Sequence, residues 1–405
     1  MLAIAGLEGA VFWRVFYGRE LSRTALAAEL GVSLATISRA VQRLLQHGLL
    51  SEVGATLSAR GRHPGLLRVN PHLAFLLGLE IDRDHVRAAV TDFAGTPLGY
   101  AAACCDPRGS LQATLVACAQ TAARAMEAAG VRLDGIARVG VGHTGTLDLE
   151  AGVCLAWDGS PQWIQAPLRQ LLCDLFRTTE LTLDDRARAL ALAQHLSMPA
   201  SSHRGSVLYV HVGTGIGAAF FINGSMLRGA SQGAGEIGHL IIDPDGPPCR
   251  CGNRGCVEAF ASTEAVLRRV SEQVESGKSA FLESLAGGRA ARITLEILLT
   301  AARRGDPVAV EALREAACAL GTGIANAVQM LNPSQVVLCG RFVYLAREFL
   351  FDTVCEQIRR LCLRNIAKAL EVRLGQYRPD LGPVGCALLA AEQEAVRSLR
   401  RLGAR

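Results

Sequence analysis

Gly233-Ala234-Gly235-Glu236-Ile237-Gly238-His239, followed by Pro248-Cys249-Arg250-Cys251-Gly252-Asn253-Arg254-Gly255-Cys256-Val257-Glu258, is the stretch on which the reading of this chain turns. It gathers one imidazole and three thiols, His239, Cys249, Cys251 and Cys256, within 18 residues. That is a full ligand set for a closed tetrahedral zinc site, and the interspersed glycines allow the tight chain path between ligands. The plainer reading makes these cysteines small buried hydrophobes, as is kept for the other ten; their density in a polar, glycine-rich loop argues against it. A closed Cys3His site has no position for water, so the expected zinc is structural. It would lock the loop and fix Glu236 and Glu258 at its margins.

Strands and helices alternate outward from this loop. Just upstream, Gly213-Thr214-Gly215-Ile216-Gly217 lies between apolar strand patterns at Val207–Val212 and Ala218–Ile222. Such a loop either cradles phosphate on backbone N–H groups or is simply a tight hairpin turn. Further strand patterns fall at Phe75–Ile81, Val86–Val90, Val139–Gly142, Leu181–Leu183 and Val336–Leu338, with helical patterns at Leu111–Ala129 and Ala187–His195. The alternation predicts a three-layer α/β fold.

The first 70 residues read differently. Helical spacing covers Leu7–Tyr17, then Arg23–Leu30 with Ser22 as N-cap. After the turn Gly31-Val32-Ser33 a third helix runs from Leu34 to His47, capped by Ser33 and stopped by Gly48. Its apolar face is Ile37, Val41, Leu44 and Leu45. The other side carries Ala35, Thr36, Ser38, Arg39, Gln42 and Arg43. Two short helices about a glycine turn predict a helix-turn-helix whose second helix reads DNA, with Ser33, Thr36, Ser38, Arg39, Gln42 and Arg43 as contacts. Strands at Leu49–Val53 and Leu66–Val69 flank Ser58-Ala59-Arg60-Gly61-Arg62-His63-Pro64, a basic wing in which Arg60 and Arg62 would enter a minor groove or grip phosphates. The alternative is a three-helix protein-interaction module with a solvated basic face.

Charge supports the division. Residues 1–70 hold eight Arg against four Glu, net +4, whereas the whole 405-residue chain carries only +5. One end is therefore basic, as a polyanionic partner requires. Half the residues are hydrophobic and a fifth charged, which excludes a disordered or collagen-like chain. Thirteen Cys in a chain of this length are too few for a disulfide framework. No apolar run reaches the roughly 20 residues of a membrane span, and no signal-peptide pattern opens the sequence. The expectation is a cytoplasmic protein that engages no membrane.

The combination of Glu236-Ile237-Gly238-His239 with Cys249-x-Cys251-x4-Cys256-x-Glu258 resembles the ROK family of repressors, open reading frames and sugar kinases, and the resemblance extends over nearly the whole chain. Gly61-Arg62-His63-Pro64 and the helices before it look like the regulator branch; Asn332-Pro333 through Leu338-Cys339-Gly340 looks like the family's adenosine-side segment. The resemblance implies a winged helix-turn-helix over residues 1–70 and a two-lobed actin/hexokinase-like (RNase H-like) body. Its lobes would be 71–185, with the C-terminal helix 382–405 returning to it, and 186–381. In the family a sugar lies in the cleft between lobes, held by an Asn-Asp pair, by the Glu and His of Glu-x-Gly-His and by the Glu after the last Cys. The matching residues are Asp184, Asp185, Glu236, His239 and Glu258. Carboxylates suit sugar hydroxyls, and an imidazole bound to zinc through one nitrogen presents the other in a fixed direction. Asp185 matches the family's general base; by itself it reads equally well as a helix N-cap.

Departures from the family pattern decide the expected function. ROK kinases carry Asp-x-Gly-Gly-Thr as phosphate loop; the matching stretch is Glu80-Ile81-Asp82-Arg83-Asp84, without either glycine or the threonine. Asp82 and Asp84 there are expected to repel a polyphosphate, at a cost on the order of 4 kcal/mol per like-charged pair about 4 Å apart at intermediate dielectric. Asp184 replaces the Asn of the sugar pair, and Arg341 replaces the second glycine of the adenosine segment. The sequence therefore predicts a sugar-responsive, DNA-binding repressor of carbohydrate-metabolism genes. It would act as a homodimer or homotetramer on operator DNA, with no catalytic residues beyond the vestigial base Asp185. The alternative is an ATP-dependent hexose or amino-hexose kinase with an appended DNA-binding domain.

Overall fold

The structure, a computed structural model, describes residues 6–54, 65–104, 110–157, 160–198, 205–222 and 224–403, and the backbone of 57–58 and 61–62. Arg60 lies outside the described residues, and Arg62 is described only as backbone, paired within a two-residue strand against Leu57.

The N-terminal segment forms from local signals. Helix α1 (Leu7–Gly18) buries Val11, Phe12, Val15 and Phe16. Helix α2 (Arg23–Leu30) is capped by Ser22 Oγ, which accepts the Ala25 amide at 3.1 Å, and ends at left-handed Gly31. Ser33 Oγ accepts the Thr36 amide at 3.2 Å to start helix α3 (Leu34–Gln46), whose inner face is Ile37, Ala40, Val41 and Leu44. The helices α2 and α3 meet at 117°, inside the ~90–120° range of helix-turn-helix pairs. Strands Leu21–Ser22, Leu66–Val69 and Leu50–Val53 form an antiparallel sheet beside them.

The chain divides into two compact units: Met1–Arg204 with Asn223–Met226 and Arg378–Arg405, and Gly205–Ile222 with Leu227–Tyr377. The expected boundary at 185/186 is therefore displaced past helix Arg186–Ser197, because that helix packs on the C-terminal helix and the first sheet.

In the first unit the body sheet has the order Leu181–Asp185, Ile136–His143, Phe75–Ile81, His85–Thr91, Pro97–Cys104. The first three strands are parallel and the last two antiparallel. Helix α4 (Leu111–Ala129) packs on strands His85–Thr91 and Pro97–Cys104, and helix α5 (Leu168–Phe176) leads into strand Leu181–Asp185. The long C-terminal helix, Leu381–Gly403, lies against this sheet and against helix α6 (Arg186–Ser197). Glycine permits the fit: a Cβ on Gly78 would sit 1.8 Å from Pro383 O, and one on Gly385 would sit 1.9 Å from Ala189 O. Helix α6 is buried from Arg188 to Leu196, which is why its sequence shows no polar face.

In the second unit the sheet runs Ile216–Ile222, Ser206–Val212, Gln335–Cys339, Glu371–Leu374, antiparallel for the first pair and parallel thereafter. The helices Pro307–Leu331 and Arg347–Leu361 pack on one another beside it. Edge strands Pro97–Cys104 and Glu371–Leu374 carry weak apolar patterns and were not expected. Among the described residues no single helix is long and apolar enough to cross a membrane.

Candidate functional site

The cysteine loop closes as its spacing requires. His239 ends a one-turn 3-10 helix, Ile237–His239, and Cys256 precedes the short helix Val257–Ala261. His239 Nδ1 lies 3.7 Å from Cys249 Sγ, Cys251 Sγ lies 3.6 Å from Cys256 Sγ, and all four ligand atoms fall within 4.8 Å of one another. A tetrahedral ion with bonds of about 2.3 Å to sulfur requires edges of about 3.8 Å, so the group fits a metal. Because Nδ1 faces the thiols, His239 Nε2 is the nitrogen left to act outward, 4.0 Å from Glu236 Oε2.

Glu258 joins this loop to the glycine hairpin. Its Oε2 accepts the Ile216 amide at 2.8 Å, while the Gly213 amide bonds the Gly215 carbonyl at 2.9 Å. Two amides that a phosphate would need are already engaged, which favours the tight-turn reading of Gly213–Gly217.

In the first unit, Asp184 and Asp185 end a parallel strand and start α6. Asp184 is buried, with its Oδ1 2.6 Å from Arg188 Nε and also accepting the Asp185 amide. Its carboxylate is committed inside the unit. Asp185 Oδ1 accepts the Ala187 and Arg188 amides at 2.8 and 3.2 Å. Asp185 is therefore the N-cap of α6, and burial, opposed by Arg188, pushes its carboxyl above the ordinary range. It stands in a different unit from Glu236, His239 and Glu258.

The expected repulsion at Asp82 and Asp84 is corrected. Arg186 bonds Glu80 Oε1 through Nε and reaches Asp82 Oδ2 at 3.1 Å through Nη2. Arg87 Nη1 lies 3.5 Å from Glu80 Oε2, and His85 Nδ1 bonds Asp84 while its Nε2 is 3.8 Å from both Glu80 and Asp82. Three carboxylates thus face two guanidiniums and an imidazole. Burial opposes charge on Glu80, but Arg186, His85 and Arg87 outweigh it and hold the carboxyl well below its usual range. Burial also opposes charge on His85, and its bonds to Asp84 and Glu80 prevail, raising its pKa. The stretch that the resemblance matches to the family's phosphate loop holds an ion-pair network, with the Arg186 guanidinium at its centre. The sequence reading missed Arg186; its position directly after Asp185 was the available signal.

On α3, Arg39 and Gln42 are exposed, and Ser33 and Thr36 share a hydroxyl contact of 2.8 Å. Arg43 departs from expectation: its Nη1 pairs with Glu8 Oε1 of α1 at 2.6 Å, so that charge is already partly matched. Leu34, not named among the contacts from sequence, is 49% exposed in the first turn of the helix.

Two mixed sheets flanked by helices, a Cys3His loop and an N-terminal helical segment make up the chain. The ROK family matches residues 76–393, and the chain belongs to it. It is 30% identical over 349 residues to a putative xylose repressor of Caldicellulosiruptor sp. (strain Rt8B.4), covering 86% of this chain and 84% of that one. The crystal structure of a ROK family transcriptional regulator, a homologue of the E. coli MLC protein, superposes with a TM-score of 0.75 at 22% identity, covering 98% of this chain and all of that one. A ROK glucokinase from Streptomyces griseus, solved with glucose and AMPPNP, gives a TM-score of 0.68 at 27% identity, over 79% of this chain and all of that one.

Proposed function

We propose that this protein is a sugar-responsive transcriptional repressor that has lost kinase activity. The observation that carries the reading is the ion-pair network of Arg186 with Glu80 and Asp82, which stands where a ROK kinase has a glycine phosphate loop. Backbone amides cannot close on ATP phosphates around a buried guanidinium already matched by carboxylates. In this reading residues 1–70 are a winged helix-turn-helix. Helix α3 enters the major groove with Ser33, Thr36, Ser38, Arg39 and Gln42 at base edges or phosphates, and Arg60 and Arg62 serve the wing. A dimer or tetramer would set two readers on half-sites one helical turn, or a multiple, apart, in the cytoplasm with the chromosome.

The effector in this proposal is a sugar, with D-xylose the first to test given the similarity to a xylose repressor. Glu236 and His239 are its hydroxyl contacts from the cysteine loop, and Glu258 combines such a contact with its hold on the Ile216 amide. Zinc is the metal proposed for His239, Cys249, Cys251 and Cys256: it orients the imidazole and fixes Glu236 and Glu258, and takes no part in a reaction. Measured zinc should be about one per chain and be lost in Cys251→Ser.

The test pairs two assays. Calorimetry of a pentose and hexose panel should show binding that Glu236→Gln weakens at least tenfold, and sugar binding should change operator affinity in gel shifts. A coupled ADP-release assay across the same panel should stay at background. Sustained ADP release would overturn the repressor reading in favour of the kinase alternative, which the glucokinase similarity supports.

A further inference from the structure

Helix α6 touches both ends of the proposed regulatory path. At its start, Asp185 caps the first turn and Arg186 ties it to Glu80 and Asp82 of the sheet. At its end, the Leu196 carbonyl accepts Arg19 Nε at 2.7 Å, and Arg19 Nη1 bonds the Ala94 carbonyl at 2.6 Å. Arg19 is the residue that ends α1 of the N-terminal segment. Next to it, Tyr17 donates to Glu392 and stands edge-on to His195 of α6, 6.5 Å between ring centroids. Leu196, the docking point of the N-terminal segment, therefore lies about 17 Å along the helix from the effector candidate Asp185.

The helix is built to move as one piece. It is buried from Arg188 to Leu196, and at Gly385 the C-terminal helix approaches it backbone to backbone. A close-packed helix cannot absorb a displacement at one end by bending; it shifts or rolls against its neighbours. The Arg19 contact is also conformationally unusual: φ 68° and ψ −77° place a non-glycine residue in a region that L side chains avoid. Its two bonds, to Leu196 on α6 and to Ala94, span the residue's side chain and hold it in that state.

We propose that α6 is the element that couples occupancy at Asp185 to the reader, and that Arg19, supported by Tyr17, is the latch through which it acts. This rests on the repressor reading for its purpose, since a ligand shifts such an equilibrium only if it favours one of two α6 positions. An effector hydroxyl that competes for the Asp185 carboxylate weakens the α6 cap and supplies that difference. Arg19 and Tyr17 position the reader and do not touch DNA or sugar.

Hydrogen–deuterium exchange on the full chain tests the coupling without a known ligand. Asp185→Ala, which removes the cap at the far end of α6, should raise exchange across residues 15–30 at least threefold. Arg19→Gly removes both bonds and suits the positive φ, so the fold should persist. In that background Asp185→Ala should add less than a third of its effect on the same residues. Equal increments in both backgrounds, or no change at residues 15–30 on Asp185→Ala, would overturn the coupling. With D-xylose or D-glucose present, whichever binds, Arg19→Gly and Tyr17→Phe should bind the sugar as wild type does but reduce its effect on operator affinity at least fivefold. Sugar that fails to alter operator affinity in wild type speaks against the repressor reading alone and leaves the exchange result standing.

Discussion

Tyr17 donates its hydroxyl proton to Glu392 Oε1 at 2.6 Å, joining residues 375 positions apart. Glu392 is 2% exposed, on the helix that lies along the first body sheet. The bond pins the N-terminal segment to the body, and Tyr17→Phe deletes its donor while keeping the ring, leaving a buried acceptor without it. It should cost about 1–3 kcal/mol in urea unfolding.

Removing Arg186 should cost more. Arg186→Met leaves Glu80 buried with only Arg87 and His85 as counter-charges, and should destabilise by about 3–5 kcal/mol. The effect depends on pH with a definite sign. Because the Glu80 carboxyl is depressed, its contribution is full above the ordinary carboxylate range and is lost as pH falls through and below that range. Wild type and Arg186→Met should therefore converge in stability as urea midpoints are taken from pH 6 towards pH 3. A constant gap would remove this network as the cause. The same variant should gain no ADP release, since removing the guanidinium restores no glycine to residues 80–84.

His143 gives a second acid transition. It is fully buried, Nδ1 accepts the Gly145 amide at 2.8 Å, and its ring clusters with those of Trp157 and Trp163, at 4.4 and 5.3 Å. Burial pulls its pKa down to about 3. The unfolded chain takes up this proton near pH 6.5 and the folded one does not. Stability should thus fall by up to about 1.4 kcal/mol per pH unit below pH 6.5. His143→Gln should flatten the slope between pH 6 and pH 4, read from urea midpoints at each pH.

The basic residues of α3 should separate. Arg39 makes no ion pair among the described residues, whereas Arg43 is held by Glu8. On operator DNA recovered by in vitro selection, Arg39→Ala should weaken binding by about 1–3 kcal/mol. If it contacts a phosphate, the salt slope should also drop by about one. Arg43→Ala should do less, and Glu8→Gln should strengthen binding slightly by freeing Arg43. Fluorescence anisotropy across a salt series reads all three.

Much of this architecture is legible in sequence because its signals are local. Ser22, Ser33, Gly31 and the apolar face of α3 fix two helix boundaries to within a residue, and the Cys249-x-Cys251-x4-Cys256 spacing brings its thiols together. What escaped are pairings across long separations. Asp82 and Asp84 read as an uncompensated acidic pair because their counter-charges include Arg186, about a hundred positions away. Closer in sequence, the pairing of Asp184 with Arg188, one turn on in α6, was also not named. Helix α6 was assigned to the other lobe because a fully buried helix has no amphipathic stripe to say which layer it serves.

The docking of helix Leu381–Gly403 in the first unit also sets an order of synthesis. The segment that carries Tyr17 leaves the ribosome well before Glu392, its anchor on the body. At about 5–20 residues per second, the stretch from α6 to the C-terminal helix takes roughly 10 to 40 s to make. During that interval Tyr17 and Arg19 have no finished body to dock on. A chain cut short before Leu381 would thus retain the capped helices Arg23–Leu30 and Leu34–Gln46 while lacking the helix against which α6 is seated.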